Sequence, residues 1–373
     1  MITLDITSFF AHGAGGIRSY YQAKATWLPA RGVECHFAVP GADASVERFG
    51  AGWLHRVPGP PLGAHYRAFG DVAALWRVID QVAPDVIELG SHYLLPQLVA
   101  PALRRRRRAA VVGFYHADFP TTYVAPACTR LPRALRRAAT GAAWSLVRAQ
   151  HRRYGATLTG SRAMSRALIE RGVPRVRWVG LGVDPDRFAC DVGRPPRGRL
   201  GFLGRLAADK EVDLLLAAAP AIARATGARV VIAGDGPQAP AVRAAADRGE
   251  VEAVGLVAAA DVPAFLASLD ALVVPSRYES FGLAAAEALA AGTPIVTADR
   301  GGAAELAARS GAGVTFAAGS PAALAAAAIG LLGEPATTRR ARAQAGRALI
   351  ERELTWPRVC ARIHDAYRGC APC

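Results

Sequence analysis

The sequence predicts an α/β protein of two doubly wound domains that face each other across a cleft. Three observations support this prediction: a length of 373 residues, a repeated alternation of short apolar runs with helical stretches, and an irregular Pro- and Gly-rich segment near the middle. The length exceeds one ordinary hydrophobic core and suits two domains. Continuous apolar runs such as RVVIAG and ALVVPS are typical of strands buried on both faces of a parallel sheet.

The apolar runs predict six strands in each domain, with longer helical stretches between them as crossover connections. We interpret residues 184–197 as the linker between the domains. Ligands of open α/β sheets bind beyond the carboxyl ends of the strands, so the chemistry should lie in the loops that follow strands. The predicted strands are 2–7, 33–39, 85–89, 110–115, 156–159 and 176–180, then 199–203, 229–233, 251–257, 271–275, 294–298 and 313–316.

Composition narrows the classes of function. The net charge is +15, and of 45 basic residues only Lys24 and Lys210 are lysines. A chain this basic suits nucleic acid, an anionic membrane or phosphorylated substrates. No apolar run is long enough to span a bilayer, and the N-terminus is typical of a first strand rather than a signal peptide. Cys370 and Cys373 form half of a zinc motif with no second half, so we expect reduced cysteines in a cytoplasmic protein.

A glycine-rich loop, HGAGGI at residues 12–17, follows the first predicted strand. Glycines there let backbone N–H groups approach a phosphate at a helix N-terminus, although a tight strand-to-helix turn needs them equally. The spacing of Gly13, Gly15 and Gly16 does not match G-x-G-x-x-G, and Val39-Pro40-Gly41 stand where a nicotinamide enzyme needs an acid for its ribose. The loop is therefore compatible with an anion site, and it argues against a dehydrogenase.

The first strand of the second predicted domain is followed by GRLAADK at residues 204–210. Arg205 offers a planar guanidinium and Lys210 a point charge, a pair that suits a diphosphate. The alternative is a solvated basic loop.

A third cluster, residues 275–287, runs from a strand end through a loop into an Ala-rich helix. The amides of residues 281–283 form the predicted helix N-terminus, which attracts an anion. The carboxylate of Glu287 on the helix can accept paired hydrogen bonds from a ribose, and Glu279 in the loop can accept them from a sugar. The alternative, two acids that merely favour the helix dipole, does not account for the whole loop.

The segment from Glu279 to Glu287 resembles the E-x7-E motif of family 4 glycosyltransferases, retaining enzymes whose GT-B architecture has two Rossmann-like domains facing across a cleft. The resemblance covers essentially the full chain, and the order of the motifs makes it specific. The supporting matches are GGI at 15–17, GVDPDRF at 182–188, GRLAADK at 204–210, AGDGP at 233–237 and AGTPIVTADRGGAAEL at 291–306.

The resemblance implies an acceptor-binding domain over 1–186, a donor-binding domain over 187–355, and a last helix, 356–373, that packs back on the first domain with a kink near Pro357. It implies no cofactor, because the nucleotide diphosphate sugar is a substrate. The implied catalytic residues are His116, Arg205, Lys210 and Glu279. The implied donor-binding residues are Gly15, Gly16, Gly204, Arg205, Lys210, Gly234, Gly236, Glu279, Ser280, Phe281, Gly282, Leu283 and Glu287.

The resemblance also implies a role for each charged residue. Arg205 and Lys210 would bind the donor diphosphate, Glu287 the nucleotide ribose, and Glu279 the donor sugar. His116, directly after a strand of the first domain, would lie close to that sugar. Fixed cations and helix amides aimed at the leaving diphosphate stabilise the negative charge that builds there in the transition state, without a metal.

The predicted acceptor side of the chain is strongly basic. From Arg104 to Arg153 the sequence has twelve arginines and one acid, Asp118. Residues 129–153 predict a helix that mixes arginines with leucines and a tryptophan, as interfacial binding to anionic lipid requires. YHADFP at 115–120 also resembles bacterial members that glycosylate lipids. We expect a lipid-linked or glycan acceptor and peripheral attachment to the inner face of the membrane; the alternative is a solvated basic face.

Other classes of function use similar features. A nucleic-acid-binding protein would use the same charge, but no zinc spacing, basic aromatic strand or helix-turn-helix signature accompanies it, so we expect no nucleic-acid partner. A sugar phosphorylase or nucleotide-sugar epimerase of the same fold is the second alternative. Asp184 and Asp186 have D-x-D spacing, but they match the family's GVDxxRF segment, so we expect no metal site. GDP-mannose and UDP-hexoses both stay open as donors.

Overall fold

The structure is a computed structural model that describes residues 1–10, 16–62, 66–90, 95–105, 109–191 and 194–370, with the backbone alone at 104 and 105. The chain divides into two compact units. The first unit is Met1–Leu181 together with Trp356–Cys373, and the second unit is Gly182–Thr355.

The strands match the apolar runs of the sequence closely. All twelve predicted strands form, and four further short strands accompany them in the first unit. In chain order they are β1 Ile2–Ile6, β2 Glu34–Gly41, β3 Ser45–Phe49, β4 Gly52–Pro58, β5 Pro61–Leu62, β6 Tyr66–Arg67, β7 Val86–Leu89, β8 Ala110–Tyr115, β9 Ala156–Thr159, β10 Val176–Trp178, β11 Arg199–Leu203, β12 Arg229–Ala233, β13 Glu252–Gly255, β14 Ala271–Val274, β15 Ile295–Ala298 and β16 Gly313–Phe316.

Helices connect most of the strands, as crossovers between parallel strands require. In chain order they are α1 Gly16–Trp27, α2 Val72–Val82, α3 Leu95–Arg105, α4 Ala125–Ala127, α5 Arg133–His151, α6 Arg162–Glu170, α7 Val212–Thr226, α8 Ala239–Asp247, α9 Val262–Ala267, α10 Leu283–Ala290, α11 Gly301–Ser310, α12 Pro321–Leu332, α13 Ala336–Glu353 and α14 Trp356–Arg368. No helix of the described residues is both long and apolar enough to cross a bilayer.

The first unit contains an eight-stranded sheet in the order β10-β9-β8-β7-β1-β2-β4-β3. Neighbouring strands are parallel, except that β3 runs antiparallel to β4. The strand order reverses beside β1, which pairs with both β2 and β7. The carboxyl ends of the parallel strands β1, β7 and β8 therefore lie at one edge of the sheet, which is where open α/β sheets bind ligands.

The second unit contains a six-stranded sheet in the order β13-β12-β11-β14-β15-β16, and all its pairs are parallel. This is the doubly wound order, with its reversal between β11 and β14. A hydrophobic cluster joins this sheet to the helices α7, α8 and α12. Both units are thus α/β and Rossmann-like, as the sequence predicts.

The segment between β2 and β7 differs from the helical connection that the sequence suggested. It forms the antiparallel pair β3 and β4 and the small hairpin of β5 and β6 before α2 begins. β4 extends the sheet beside β2, and its mixture of buried and half-buried residues has no helical period.

The predicted linker, residues 184–197, belongs to the second unit rather than standing between the units. Asp184 caps a short turn at Pro185–Arg187 by accepting a hydrogen bond from the Asp186 amide. Arg347 of α13 donates to the carbonyl oxygens of Pro185 and Phe188, at 2.9 and 2.8 Å. The division of the chain accordingly lies between residues 181 and 182, not between 186 and 187.

The last helix is separate from the helix before it. α13 ends at Glu353 and α14 begins at Trp356, so Pro357 lies in the first turn of α14, where its missing N–H costs no helical hydrogen bond. α14 buries Val359, Ile363 and Tyr367 in the core of the first unit.

Candidate active site

The loops that carry the sequence motifs converge at one edge of the second unit's sheet. β11 pairs with β12 on one side and with β14 on the other. The GRLAADK loop follows β11, the E-x7-E segment follows β14, and AGDGP follows β12. The site therefore lies at the reversal of strand order, where a doubly wound sheet leaves a crevice for a ligand.

Lys210 and Glu279 form the central ion pair of this edge. The Lys210 Nζ donates to Glu279 Oε2 at 2.6 Å, and both side chains are largely buried. Burial by itself would lower the pKa of Lys210, but the Glu279 carboxylate outweighs it and raises that pKa. Lys210 is thus held as a cation, and Glu279 is oriented by a partner from a neighbouring strand's loop.

Two further ion pairs involve the same loops: Arg205–Asp209 lies within the GRLAADK loop, and Arg277–Glu211 joins the segment after β14 to the segment after β11. Arg205 donates from one guanidinium nitrogen to both oxygens of Asp209, at 2.8 and 3.0 Å. Arg277 donates to the Glu211 carboxylate from its backbone N–H and from Nε, at 2.8 and 2.7 Å. Arg205 is the more exposed of the two cations at 44%. Its guanidinium can therefore reach an anion in solvent, whereas Arg277 holds the loop.

The glycines of AGDGP pack backbone against backbone on the GRLAADK loop. Gly234 and Gly236 adopt φ values of +142° and +148°, which side chains disfavour. A Cβ at Gly234 would overlap the carbonyl oxygen of Gly204, and one at Gly236 would overlap that of Leu206. The Leu206 amide also donates to the Asp235 carbonyl at 2.8 Å. These glycines are needed to set the two loops against each other.

A second pair of glycines shapes the E-x7-E loop. The Gly302 amide donates to the Glu279 carbonyl at 2.7 Å, and a Cβ at Gly301 would overlap that same carbonyl. Gly282, at φ +91°, caps the start of α10. Phe281 is buried at 4% and anchors the loop beneath it. The first amides of α10, from Leu283 onward, have no partner within the helix and are suited to an anion.

Glu287 lies within α10, a helix whose alanines are mostly buried. The carboxyl is half-buried, and burial raises its pKa to about 7. The guanidinium of Arg187 opposes that shift. Few neighbouring groups stabilise the charge of this buried carboxylate. It is therefore a strong acceptor for hydrogen bonds from ligand hydroxyl groups.

His116 belongs to the first unit and directly follows β8. Its ring stacks on Phe114, with centroids 4.1 Å apart, and meets the Tyr20 ring edge-on at 5.7 Å. Burial lowers the pKa of His116 to about 4, although the Glu88 carboxylate opposes the shift. The ring is therefore neutral at physiological pH.

The structure gathers most of the predicted site residues in the second unit. Gly16 begins α1 in the first unit, as His116 also lies there, and Gly15 lies outside the described residues. Half-buried Ser280 lies in the same loop as Glu279. The residues at the edge of the second sheet are Gly204, Arg205, Lys210, Gly234, Gly236, Glu279, Ser280, Phe281, Gly282, Leu283 and Glu287.

Sequence reasoning missed several residues that hold this edge together. The Ser276 hydroxyl donates to the Asp209 carbonyl at 2.5 Å, and Glu211 binds Arg277. The double glycine at 301–302 after β15 was a usable signal, because glycines after a parallel strand often mark close backbone approach. Among the residues that the structure describes, no group of three or more His, Cys, Asp or Glu is arranged to hold a metal ion.

Comparison with known proteins agrees with this geometry. Residues 14–187 match the family model described as Glycosyltransferase Family 4, and residues 197–334 match the model described as Glycosyl transferases group 1. A GDP-mannose-dependent alpha-mannosyltransferase of Mycobacterium tuberculosis is 31% identical over 287 residues, covering 70% of this chain and 68% of that protein. The chain belongs to the family 4 glycosyltransferases.

Other relatives of this glycosyltransferase extend the comparison. A GDP-mannose-dependent alpha-(1-6)-phosphatidylinositol dimannoside mannosyltransferase of M. tuberculosis is 28% identical over 353 residues, 82% of this chain and 84% of that one. Sucrose-phosphate synthase from Thermosynechococcus elongatus matches in structure with a TM-score of 0.79 at 19% identity, covering 98% of each chain. Anabaena HepE in complex with UDP-glucose matches with a TM-score of 0.75 at 18% identity, covering 99% of this chain and all of that chain.

These structural matches establish the GT-B fold, and the family establishes the class of enzyme. The glycosyltransferase transfers a hexose from a nucleotide-sugar donor. This assignment replaces the alternative of a sugar phosphorylase or a nucleotide-sugar epimerase.

Proposed function

We propose that the protein is a retaining, metal-independent mannosyltransferase that transfers mannose from GDP-mannose to a lipid acceptor at a membrane surface. The observation that carries the proposal is the Lys210–Glu279 pair beside Arg205, at the edge where the strand order of the second unit reverses. GDP-mannose is chosen over a UDP-hexose because two relatives are named as GDP-mannose-dependent. This chain matches each of them over more than two thirds of that relative's length.

The charges of the site suggest how the donor bond breaks. In the transition state the sugar becomes oxocarbenium-like while negative charge builds on the leaving diphosphate. Arg205, Lys210 and the first amides of α10 are preorganised cations and dipoles that stabilise this charge more than they stabilise the bound donor. Because the chain supplies these cations itself, we propose that no metal ion is needed. Glu287 would hold the ribose, and Glu279 the sugar hydroxyls.

The sugar side of the proposal includes His116. The family resemblance assigns it to the sugar, and its neutral ring can accept or donate a hydrogen bond at physiological pH. We assign no nucleophile, since retention by a front-face route needs none from the protein.

The lipid acceptor is supported by a relative named for phosphatidylinositol dimannoside and by the surface of α5. Leu135, Ala138, Ala142, Leu146 and Ala149 are all exposed and follow a helical period, so they form one apolar stripe. Exposed arginines lie on the same helix and directly after it, including Arg133, Arg137 and Arg152. Trp144, the tryptophan of the helix predicted for interfacial binding, is a buried core residue instead, and Val147 is also buried. The combination of apolar stripe and arginines suits an anionic membrane surface.

Thermal unfolding with a panel of nucleotides tests the donor proposal. Ligands that bind the folded state raise the midpoint, so we expect GDP and GDP-mannose to raise it, with and without EDTA. Arg205→Ala and Lys210→Ala should lose this rise, and mannose transfer should fall roughly 10²- to 10³-fold. Arg248→Ala, at an exposed ion pair with Glu250 in the same unit, is the matched control and should behave as wild type.

Either of two results would overturn this assignment. A rise with UDP alone would replace the proposed donor, and a rise that requires added metal would remove the metal-independent mechanism.

A further inference from the structure

A cluster of polar side chains lies fully buried inside the first unit. It comprises Asp5 on β1, Tyr20 and Lys24 on α1, Glu88 on β7 and Tyr367 on α14, each exposed by 2% or less. Lys24 is one of the chain's two lysines. The cluster joins the two central strands of the sheet to the first and last helices of the unit.

Glu88 is the centre of this cluster. Its carboxylate accepts hydrogen bonds from the Tyr367 hydroxyl at 2.6 Å and from the Tyr20 hydroxyl at 3.0 and 3.1 Å. Lys24 donates to Asp5 and to the Tyr367 hydroxyl, and its Nζ lies 3.5 Å from Glu88 Oε2. Burial alone would raise the pKa of Glu88, but Lys24 and the donated hydrogen bonds hold it below its ordinary value.

Both tyrosines remain hydrogen-bond donors to this carboxylate. Burial and the nearby carboxylates raise the pKa of Tyr20 and of Tyr367, so neither phenol ionises at physiological pH. Burial also raises the pKa of Asp5, which favours a neutral Asp5 beside one Lys24 cation and one Glu88 anion. The cluster thereby holds one balanced pair of charges, with directed donors around Glu88.

The cluster reaches His116 through Tyr20. The Tyr20 ring meets the His116 ring edge-on, with centroids 5.7 Å apart and planes at 78°. Phe114 stacks against the His116 ring and also contacts Tyr20, at centroid distances of 4.1 and 4.8 Å. The His116 ring is thus held between two aromatic rings, one of which is anchored by its hydroxyl to Glu88.

Burying charges in a core is energetically unfavourable compared with apolar packing of the same volume, so stability alone is a poor reason for this cluster. We propose that Tyr20, Glu88 and Tyr367 are positioning residues for His116, and that the C-terminal helix α14 thereby contributes to the reaction. The proposal rests on the proposed function, because it takes His116 to act on the sugar side. Tyr367 fixes Glu88, Glu88 fixes Tyr20, and Tyr20 fixes the plane of the His116 ring.

Three single-atom variants test this chain of contacts. Tyr20→Phe and Tyr367→Phe each remove one hydroxyl that donates to Glu88 and keep the ring. Tyr21→Phe is the matched control: Tyr21 is the next residue of α1 and equally buried, but its ring packs on Phe10 and Phe37. Mannose transfer from GDP-mannose to phosphatidylinositol vesicles and hydrolysis of GDP-mannose by water are the two activity assays. His116→Ala is measured alongside.

We expect Tyr20→Phe and Tyr367→Phe to lower kcat roughly tenfold or more, since a small misplacement of a reacting group is costly. The KM for GDP-mannose should stay within about twofold, because the donor site lies in the second unit. Tyr21→Phe should match wild type. If His116→Ala lowers kcat while Tyr20→Phe and Tyr367→Phe do not, the positioning role is wrong and the proposed function stands.

A spectroscopic measurement decides the inference even where turnover is absent. In histidine-labelled protein, the resonance that disappears in His116→Ala reports on this ring, whose pKa is about 4. Among the residues that the structure describes, the charged and titratable groups near it include Glu88 from β7 and Lys24 and Tyr20 from α1. Losing either hydroxyl that donates to Glu88 should loosen the Tyr20 ring against which His116 packs, so the chemical shift of this resonance should change in both Phe variants and not in Tyr21→Phe. An unchanged resonance in both variants would overturn the proposal. Absence of any turnover by the wild type would count against the proposed function alone.

Discussion

Two glutamates, eight positions apart by their numbering, acquire different properties from their surroundings. Glu279 meets the Lys210 ammonium at 2.6 Å. Glu287 is half-buried on α10, and burial raises its pKa to about 7 while Arg187 opposes the shift. Glu279 is therefore held in place by an ion pair, which suits the proposed contact with the sugar. Glu287 is a titratable hydrogen-bond acceptor, which suits the proposed contact with the ribose.

Nucleotide binding should depend on pH through Glu287. Ribose hydroxyls donate best to an ionised carboxylate, so we expect the Kd for GDP to weaken as pH falls from about 8 to about 6, through the pKa of about 7. Glu287→Gln should bind GDP weakly at every pH in this range. Isothermal titration calorimetry measures both proteins, and a wild-type Kd that does not change with pH would contradict the assignment.

The same substitution should stabilise the protein without ligand. The folded state holds the Glu287 proton more tightly than the unfolded chain does, so wild-type stability falls as pH rises from the ordinary carboxyl value of 4.5 to about 7. Glutamine carries no such charge. The unfolding midpoint of Glu287→Gln should therefore exceed that of wild type at about pH 8 and approach it near about pH 4. If wild type and Glu287→Gln have equal unfolding midpoints at both pH values, the charge of Glu287 does not destabilise the folded state.

At the scale of elements, the site depends on loops that pack backbone against backbone. Gly234 and Gly236, after β12, lie against Gly204 and Leu206, after β11. Gly301 and Gly302, at the start of α11, lie against the Glu279 loop in the same manner. Neighbouring parallel strands end at the same edge, so their loops crowd together, and glycine is the residue that leaves room.

Gly234→Ala tests this packing. The added Cβ would overlap the Gly204 carbonyl at a φ of +142°, so we expect the free energy of unfolding to fall by more than about 1 kcal/mol. The rise of the unfolding midpoint with GDP should shrink as the Arg205 loop shifts.

Gly330→Ala is the matched control, because Gly330 is exposed near the end of α12 with open space around it. It should stabilise the chain by up to about 1 kcal/mol. Denaturant unfolding measures both, and an unperturbed Gly234→Ala would remove the packing argument.

At the scale of the whole molecule, charge is the dominant property. The net charge of +15 comes almost entirely from arginine. In the first unit, α5 carries exposed arginines together with the apolar stripe, in which Leu135 and Leu146 are exposed by 56% and 43%. Long-range attraction brings such a chain to an anionic surface, and apolar side chains then hold it there.

Vesicle flotation tests the membrane proposal. We expect the protein to float with phosphatidylglycerol vesicles, less with phosphatidylcholine vesicles, and less again as salt is raised, because salt screens the arginines. The double variant Leu135→Asp with Leu146→Asp should stay at the bottom of the gradient. Ile169→Asp is the control, since Ile169 is exposed by 58% on α6 of the same unit but outside the stripe. Equal flotation of both variants would assign binding to a different surface.

The sequence predicted best those features that a short stretch of residues encodes, namely the buried strands and the loops that follow them. The apolar runs identified twelve of the fourteen strands of the two large sheets, all but β3 and β4, since strands buried on both faces leave a strong signal. The residues of GRLAADK and of the E-x7-E segment were found because loops after parallel strands are where such sheets bind ligands. The pairs Arg277–Glu211 and Ser276–Asp209 were not found, because each joins loops that are more than sixty residues apart in the chain.

The sequence by itself determined the class of fold and the family, and it predicted the charged residues of the proposed donor site, because each depends on residue type and local spacing. Tertiary structure alone decided which charges meet: Lys210 with Glu279, Arg205 with Asp209, and Lys24 with Glu88. It also decided that the segment after Asp184 packs into the second unit and that Trp144 is core rather than surface. Burial and partnership depend on contacts between segments distant in sequence, and no local pattern encodes them.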